Sequence, residues 1–373
     1  MNKKELTSEP EQRIFITNTM RSGSSLVISA LCAHPRILIL SDNIHFFRFM
    51  HKRFQPLNEK NLYRLLLYQK ARLYYRTGIE MDTDTIFENI ERKEISYRVI
   101  YDEIMMYFMK STSRTIWGEA PALQWREIPA FLRFFPGGKV IHIYRDPRGV
   151  LASWKKLSSL PDNVYLNAIF NWIDSLNYLE RYKESLPPEN YLPVKFEDVM
   201  ENPEKWMRIL CDFSGVPFDE ILVQPERWEG AISGIGNNLV KVPRSAHEGN
   251  NITGFSVQRT QNWTKELEEW EIALVEFFAK EKFEKFGFDL HKDNYHTSII
   301  KKGLDIIREN PFLLKQLQVY LATGEGTNKY PSDPTDPGSW GAPHNPSEWF
   351  LDSPVARDYF RDIKLAEEIS KKI

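Results

Sequence analysis

Apolar positions along this chain follow two patterns, short unbroken runs suited to buried strands and longer stretches with helical spacing. The run Ile14-Phe15-Ile16 predicts a strand and glycine loop over 13–25, a helix over 24–34 and a short strand over 36–41. Residues 44–113 read as a helix-rich, aromatic insert. A strand over 140–144 leads into a helix that starts at Pro147, a residue suited to a first helical turn. Helix 164–185, strand 191–196, helix 203–214 and helix 265–286 continue the alternation. Such a sequence predicts an α/β fold with a parallel sheet, right-handed crossovers and a ligand at the C-terminal strand ends. Past 295 the pattern changes: 298–322 reads as helical, 324–347 is rich in Gly and Pro, and 355–372 reads as a final helix. Tyr330, Trp340 and Trp349 argue against free disorder there. They predict a segment lying across the main domain as a lid, or as an arm exchanged in a homodimer.

The first strand runs into Thr19-Met20-Arg21-Ser22-Gly23-Ser24-Ser25, a strand–turn–helix junction. Such a junction aims backbone N–H groups at one point on the positive end of a helix dipole, which makes a phosphate site. In the nucleoside-triphosphate pattern G-x-x-x-x-G-K-[ST], Gly23 matches the second glycine. Asn18 stands in place of the first and Ser24 in place of the lysine, while the positive charge has moved to Arg21. The loop suits a phosphate-rich nucleotide better than metal-assisted γ-phosphoryl transfer. A second junction, YRDPRGVLASW, puts Arg145 at a strand end, Asp146 at an N-cap position and Ser153 two turns into a helix. Arg145 and Ser153 are placed to close on one anion, and a cation stands where a P-loop NTPase carries its magnesium-binding Asp. Read alone, Arg21 and Arg145 are also compatible with ordinary surface arginines, and Ser153 with a plain helix serine.

On these residues the chain resembles the sulfotransferase family, whose donor is 3′-phosphoadenosine 5′-phosphosulfate (PAPS). Arg21, Ser22, Gly23, Ser24 and Ser25 are similar to the family's 5′-phosphosulfate loop, and Arg145 and Ser153 to its 3′-phosphate element about 120 residues later. Phe196-Glu197-Asp198 resembles its Tyr-Glu-Asp turn, and NWTKEL, around Trp263, its last tryptophan segment. Ser245 resembles a serine that relatives place near the donor. The likeness covers about 13–290, is bacterial in style and extends loosely to protein-tyrosine and heparan sulfate sulfotransferases. It implies a P-loop NTPase-like three-layer αβα domain over 1–295, with the helical insert at about 44–113 and a C-terminal extension over 296–373. The chain departs from the family in three places. WGEAPALQW lacks the lysine of the Lys-x-Pro segment, Phe196 replaces a tyrosine, and Asn262 stands where one branch has lysine.

Sulfuryl transfer to a hydroxyl or amine needs a base for the acceptor proton. Asp42, after the second strand, is the nearest carboxylate to the family's base, and it also reads as a helix N-cap. Asn43 takes the slot if the alignment rests on His45-Phe46-Phe47 instead. His45 and Glu119 are reserve bases. The acceptor implied is a small molecule, glycan, lipid or peptide. Two other readings stay open: a P-loop small-molecule kinase and a non-catalytic PAPS-binding protein.

The insert carries Arg48, Lys52, Arg53, Lys60, Arg64, Lys70, Arg72 and Arg76 against a single nearby acid, Glu59. This reads either as a basic wall for an anionic or glycan acceptor or as a solvated helix face whose Leu65, Leu66, Tyr68 and Tyr74 pack inward; we favour the second. The 373 residues are 42% hydrophobic and 27% charged, with a formal net charge of −2, so charge offers no argument for nucleic acid. Cys32 and Cys211 form neither a CxxC pair nor a zinc-site spacing, and no metal is expected. No apolar run reaches the roughly 20 residues of a membrane span. The polar start MNKKELTSEPEQ lacks a secretory h-region, so a cytoplasmic location is expected.

Overall fold

The apolar runs near the N-terminus become parallel strands buried on both faces. This burial is why they read as continuous rather than alternating. The computed structural model describes residues 9–41, 43–156, 163–232, 247–248, 251–252, 254–326, 330–341 and 343. Strands β1 (Gln12–Asn18), β2 (Ile37–Ser41), β3 (Ile116–Ala120), β4 (Lys139–Tyr144) and β5 (Tyr191–Lys195) form one sheet in the order β2-β3-β1-β4-β5. All neighbouring pairs are parallel. Ile14, Phe15, Ile16 and Ile37 to Leu40 are fully buried. Pro193, which has no N–H for a ladder, sits on the edge strand β5.

Helix α1 (Ser24–Ala33) follows β1. The insert comprises α2 (Phe46–Phe49), α3 (Glu59–Thr77), α4 (Thr83–Glu91) and α5 (Tyr97–Lys110). Next come α6 (Ile128–Phe134), α7 (Pro147–Lys155), α8 (Asn167–Ser185), α9 (Phe196–Glu201), α10 (Pro203–Ser214) and α11 (Trp228–Ile232). The last four are α12 (Trp263–Glu266), α13 (Glu269–Phe286), α14 (Thr297–Glu309) and α15 (Pro311–Thr323). Sequence signals explain the boundaries. Asn58, Asp82, Ser96 and Asp146 cap α3, α4, α5 and α7 through their side chains, and a reciprocal capping box at Glu268 and Glu271 opens α13.

The structure adds two details to the sequence reading and changes one. Strand β3, whose apolar run is interrupted by Gly118 and Glu119, lies between β2 and β1. The helical stretch 298–322 is two helices, α14 and α15, divided where Asn310 caps Pro311 at the first turn of the second. Arg72 does not lie on a solvated face. It is buried over the Phe49 ring at 4.4 Å and donates to the Asn43 and Ile44 carbonyls at 2.5 and 3.1 Å. Leu65, Leu66 and Tyr68 do pack inward, while Tyr74 is half-buried. The helix expected over 355–372 lies outside the described residues.

Helix α14 packs on α13, and α15 on α8 and α14. The Gly/Pro-rich stretch then crosses the insert. Asn177 on α8 donates to the Gly324 carbonyl, Arg48 and Arg53 bind Pro331 and Ser332, and Trp340 is buried edge-on against Tyr75 of α3.

Candidate functional site

Two backbone reversals build the first cradle. Between β1 and α1, Arg21 (φ 72°) and Gly23 (φ 80°) both take left-handed conformations. The turn is tied by Ser22 N–H to the Thr19 carbonyl (3.2 Å) and by a 2.6 Å contact between the Thr19 and Ser22 hydroxyls. Ser22 is therefore wholly buried, its hydroxyl engaged within the loop, whereas Arg21, Gly23, Ser24 and Ser25 face a cavity. The first turn of α1 carries no acidic residue, so its N–H groups and dipole favour an anion. Gly23 is required twice: by its φ, and because a Cβ there would lie 2.1 Å from the ring of Phe196.

The second cradle is the β4–α7 junction. The Asp146 carboxylate caps α7 by accepting from Arg148 N–H at 2.8 Å, and the Trp172 indole N–H holds the Arg145 carbonyl at 2.7 Å. The Arg145 guanidinium lies 4.9 Å over the Phe196 ring and donates to the carbonyls of Arg21 (3.3 Å) and Arg259 (3.2 Å). Its Nε is buried without a hydrogen-bond partner among the described residues. Burial lowers its pKa from the ordinary arginine value, and Glu197 and Asp146 oppose that. Glu197 is itself pushed up to about 7 by burial, with one carboxylate oxygen accepting from Asp146 N–H at 3.0 Å.

The two cradles meet. Arg21 Nε donates to Ser153 Oγ at 2.9 Å. Together they line one cavity of about 390 Å³, with Phe196 as a wall and Arg259, Asn262 and Trp263 on the far side. That volume lies in the range of nucleotide-sized sites. Two features here were missed in the sequence. Arg259 adds a third arginine to the cavity, and its only signal was its place four residues before Trp263. Arg148 turns away from the cavity. It bridges Asp146 (2.6 Å) and Glu276 (2.7 Å) and stacks 4.0 Å over Trp263, so one side chain locks α7, α13 and the tryptophan segment together.

Of the candidate bases, Glu119 lies near the C-terminal end of β3 and His45 at the start of α2. Asp42 and Ser245 are outside the described residues. His45 is buried at φ 49°, and its Nδ1 lies 2.7 Å from Gln124 Nε2. Glu119 is completely buried and does not line this cavity. It accepts from the Tyr101 hydroxyl and from Phe46 N–H (3.4 Å), and burial pushes it up to about 7. It thus fixes the start of α2, where His45 sits. Leu123, also left-handed, donates its N–H to the Asn18 carbonyl at 2.9 Å and ties this region to the end of β1.

Among the described residues no group of three or more His, Cys, Asp or Glu is placed to hold a metal ion, and no helix is long and apolar enough to cross a membrane. Carbohydrate sulfotransferase 3 of Tetronarce californica is 25% identical over 172 residues, which is 42% of this chain and 37% of that relative's length. The sulfotransferase domain from the curacin biosynthetic pathway superposes with a TM-score of 0.51 at 20% identity, covering 76% of this chain and 100% of its own. The sulfotransferase domain of the Synechococcus PCC 7002 olefin synthase gives 0.48 at 19% identity, covering 76% and 97%. The family model described as "Sulfotransferase family" matches residues 13–220, a span that holds the Arg21 loop, Arg145 and Ser153. With both anion cradles inside that match and most of the described helices and strands laid out around them, the chain belongs to the sulfotransferase family.

Proposed function

We propose that this chain transfers a sulfuryl group from PAPS to a hydroxyl or amine acceptor by in-line displacement, with adenosine 3′,5′-bisphosphate (PAP) leaving. The observation that carries this reading is the convergence of Arg21, Ser153 and Arg145 on one cavity. The Arg21–Ser25 loop would hold the 5′ side and Arg145 with Ser153 the 3′-phosphate, with Arg259 adding charge and Phe196 packing beside the nucleotide. Fixed donors of this kind stabilise charge on a leaving phosphate without reorganising. The acceptor proton is assigned to the 42–45 segment, which holds Asp42 as its carboxylate and His45 as its imidazole. In this reading 1–295 is the donor-binding domain, with 296–373 as its extension. Likeness to a carbohydrate sulfotransferase puts glycan hydroxyls among the acceptors to be tried, beside small molecules, lipids and peptides.

A kinase reading has less support, because Ser24 occupies the lysine position and a cation the strand end. The test is calorimetric binding of PAP and of ADP, with and without magnesium, followed by transfer from labelled PAPS across an acceptor panel. Metal-independent preference for PAP with transfer is expected. Magnesium-dependent preference for ADP would restore the kinase reading, and PAP binding without transfer to any acceptor would favour a non-catalytic role.

A further inference from the structure

A groove lies beside the donor cavity, beyond the end of β1. Its floor is Ala122-Leu123-Gln124, whose N–H groups reach Asn18 (2.9 Å) and the Thr17 hydroxyl (3.2 Å) at the point where the Arg21 loop begins. One wall is Phe47 and Arg48, directly after the 42–45 segment. The roof comes from the C-terminal arm: Arg48 donates to the Pro331 carbonyl at 2.5 Å, Arg53 to the Ser332 hydroxyl at 2.7 Å, and Tyr330 lies 5.5 Å from the Arg48 guanidinium. Two adjoining cavities of about 430 and 450 Å³ share Phe47, Arg53, Arg126 and Glu127.

The lining is cationic. Among the described residues, Arg48, Lys52, Arg53, Arg126 and Arg133 face the groove with a single carboxylate, Glu127. Carboxylates behind the lining offset part of this: Arg126 pairs with Asp174 at 2.9 Å and Glu325 at 3.4 Å, and Arg53 acts on Asp333. Burial raises the pKa of Glu127, and Lys52, Arg133 and Arg53 oppose that. The excess of positive charge rests on the lining itself, five cations beside Glu127 among the described residues. Arg126 Nη1 is buried without a partner among the described residues. The part-enclosed groove also screens charge less than open surface does.

Resting on the PAPS reading above, we infer that this groove is the acceptor subsite and that it selects an acceptor carrying its own anionic group (carboxylate, sulfate or phosphate) close to the reacting hydroxyl. Phe47 and Tyr330 would pack the acceptor's body while Lys52, Arg53 and Arg133 hold its charge. The arm is then part of the acceptor wall.

The test uses the full chain loaded with PAP and matched pairs: hexuronate against hexose oligosaccharides, hydroxybenzoate against its methyl ester, and phosphorylated or sulfated sugars against the unmodified ones. Binding is read by calorimetry and, with PAPS, kcat/KM by label transfer. The three pair types show which anion is preferred. Anionic members are expected to bind about tenfold or more tightly than neutral ones, with a preference that shrinks at high salt. The exposed-site variant K52Q/R133Q, which leaves Arg53 in place, should cut the preference by about threefold or more while PAP affinity stays unchanged. Equal binding of both members, binding of neither, or an undiminished preference in the variant overturns the inference. Failure of PAP itself to bind would instead count against the donor reading.

Discussion

Replacing Gly23 by alanine tests the construction of the donor loop. An L-residue held in the left-handed region costs about 1–2 kcal/mol. The new Cβ would also lie 2.1, 2.3 and 2.7 Å from three carbons of the Phe196 ring. That ring is 6% exposed and lies beneath Arg145, so it cannot swing away without disturbing the second cradle. Overpacking of this kind typically adds about 1–3 kcal/mol. The sum is about 2–5 kcal/mol, divided between folding stability and PAP affinity. The assay is a double-mutant cycle over G23A, F196A and the pair, with PAP titrations and denaturant melts. Because F196A removes the obstruction but not the dihedral cost, the pair should cost less than the sum of the singles by about 1–3 kcal/mol. Additivity within about 0.5 kcal/mol would refute the steric argument, and wild-type behaviour of G23A would refute both parts.

Four other outcomes are expected. R145A should weaken PAP by about 1.5–3 kcal/mol while changing adenosine 5′-phosphate little, and equal losses would remove Arg145 from the 3′-phosphate. R148M leaves the carboxylates of Asp146 and Glu276 buried without their cation and should cost about 3–5 kcal/mol in denaturant melts, against a loss under about 1 kcal/mol if the bridge is dispensable. Glu119, raised by burial from 4.5 to about 7, keeps a proton in the folded state that the unfolded chain releases. Its contribution is therefore full below about pH 4.5 and is lost as the pH rises through 7. E119Q should flatten the fall in stability across that window, and a slope matching wild type would contradict it. At Gly326 a Cβ would meet the Phe170 carbonyl oxygen at 2.4 Å, so G326V should lift the arm off α8 and speed cleavage within 324–341 by a broad-specificity protease, with unchanged digestion as the contrary result.

Much of the proposed donor site could be read from the chain because its parts are local. A strand, a glycine reversal and a helix start make an anion cradle within a dozen residues, so Arg21, Gly23, Ser24 and Ser25 were legible together, as were Arg145 and Ser153. Ser22 of the same loop is buried, its hydroxyl 2.6 Å from that of Thr19, a detail local pattern does not record. Arg259 and the base region were harder. Arg259 reaches the cavity from a segment 114 residues beyond Arg145, and no periodicity marks it.

By itself the sequence determined the alternation of elements, the two cradles and their order, because strand runs, caps and tight turns follow from neighbouring residues. Only the tertiary structure decided that β3 lies between β2 and β1, that Arg72 and Arg148 are core cations, and that Glu119 braces α2 beneath Tyr101. It also decided that the C-terminal arm roofs an arginine-lined groove at the end of β1. The reason is common to all of these. A charge or a hydroxyl acquires its role from partners brought from distant parts of the chain, and packing selects those partners through desolvation and shape, which local pattern does not record.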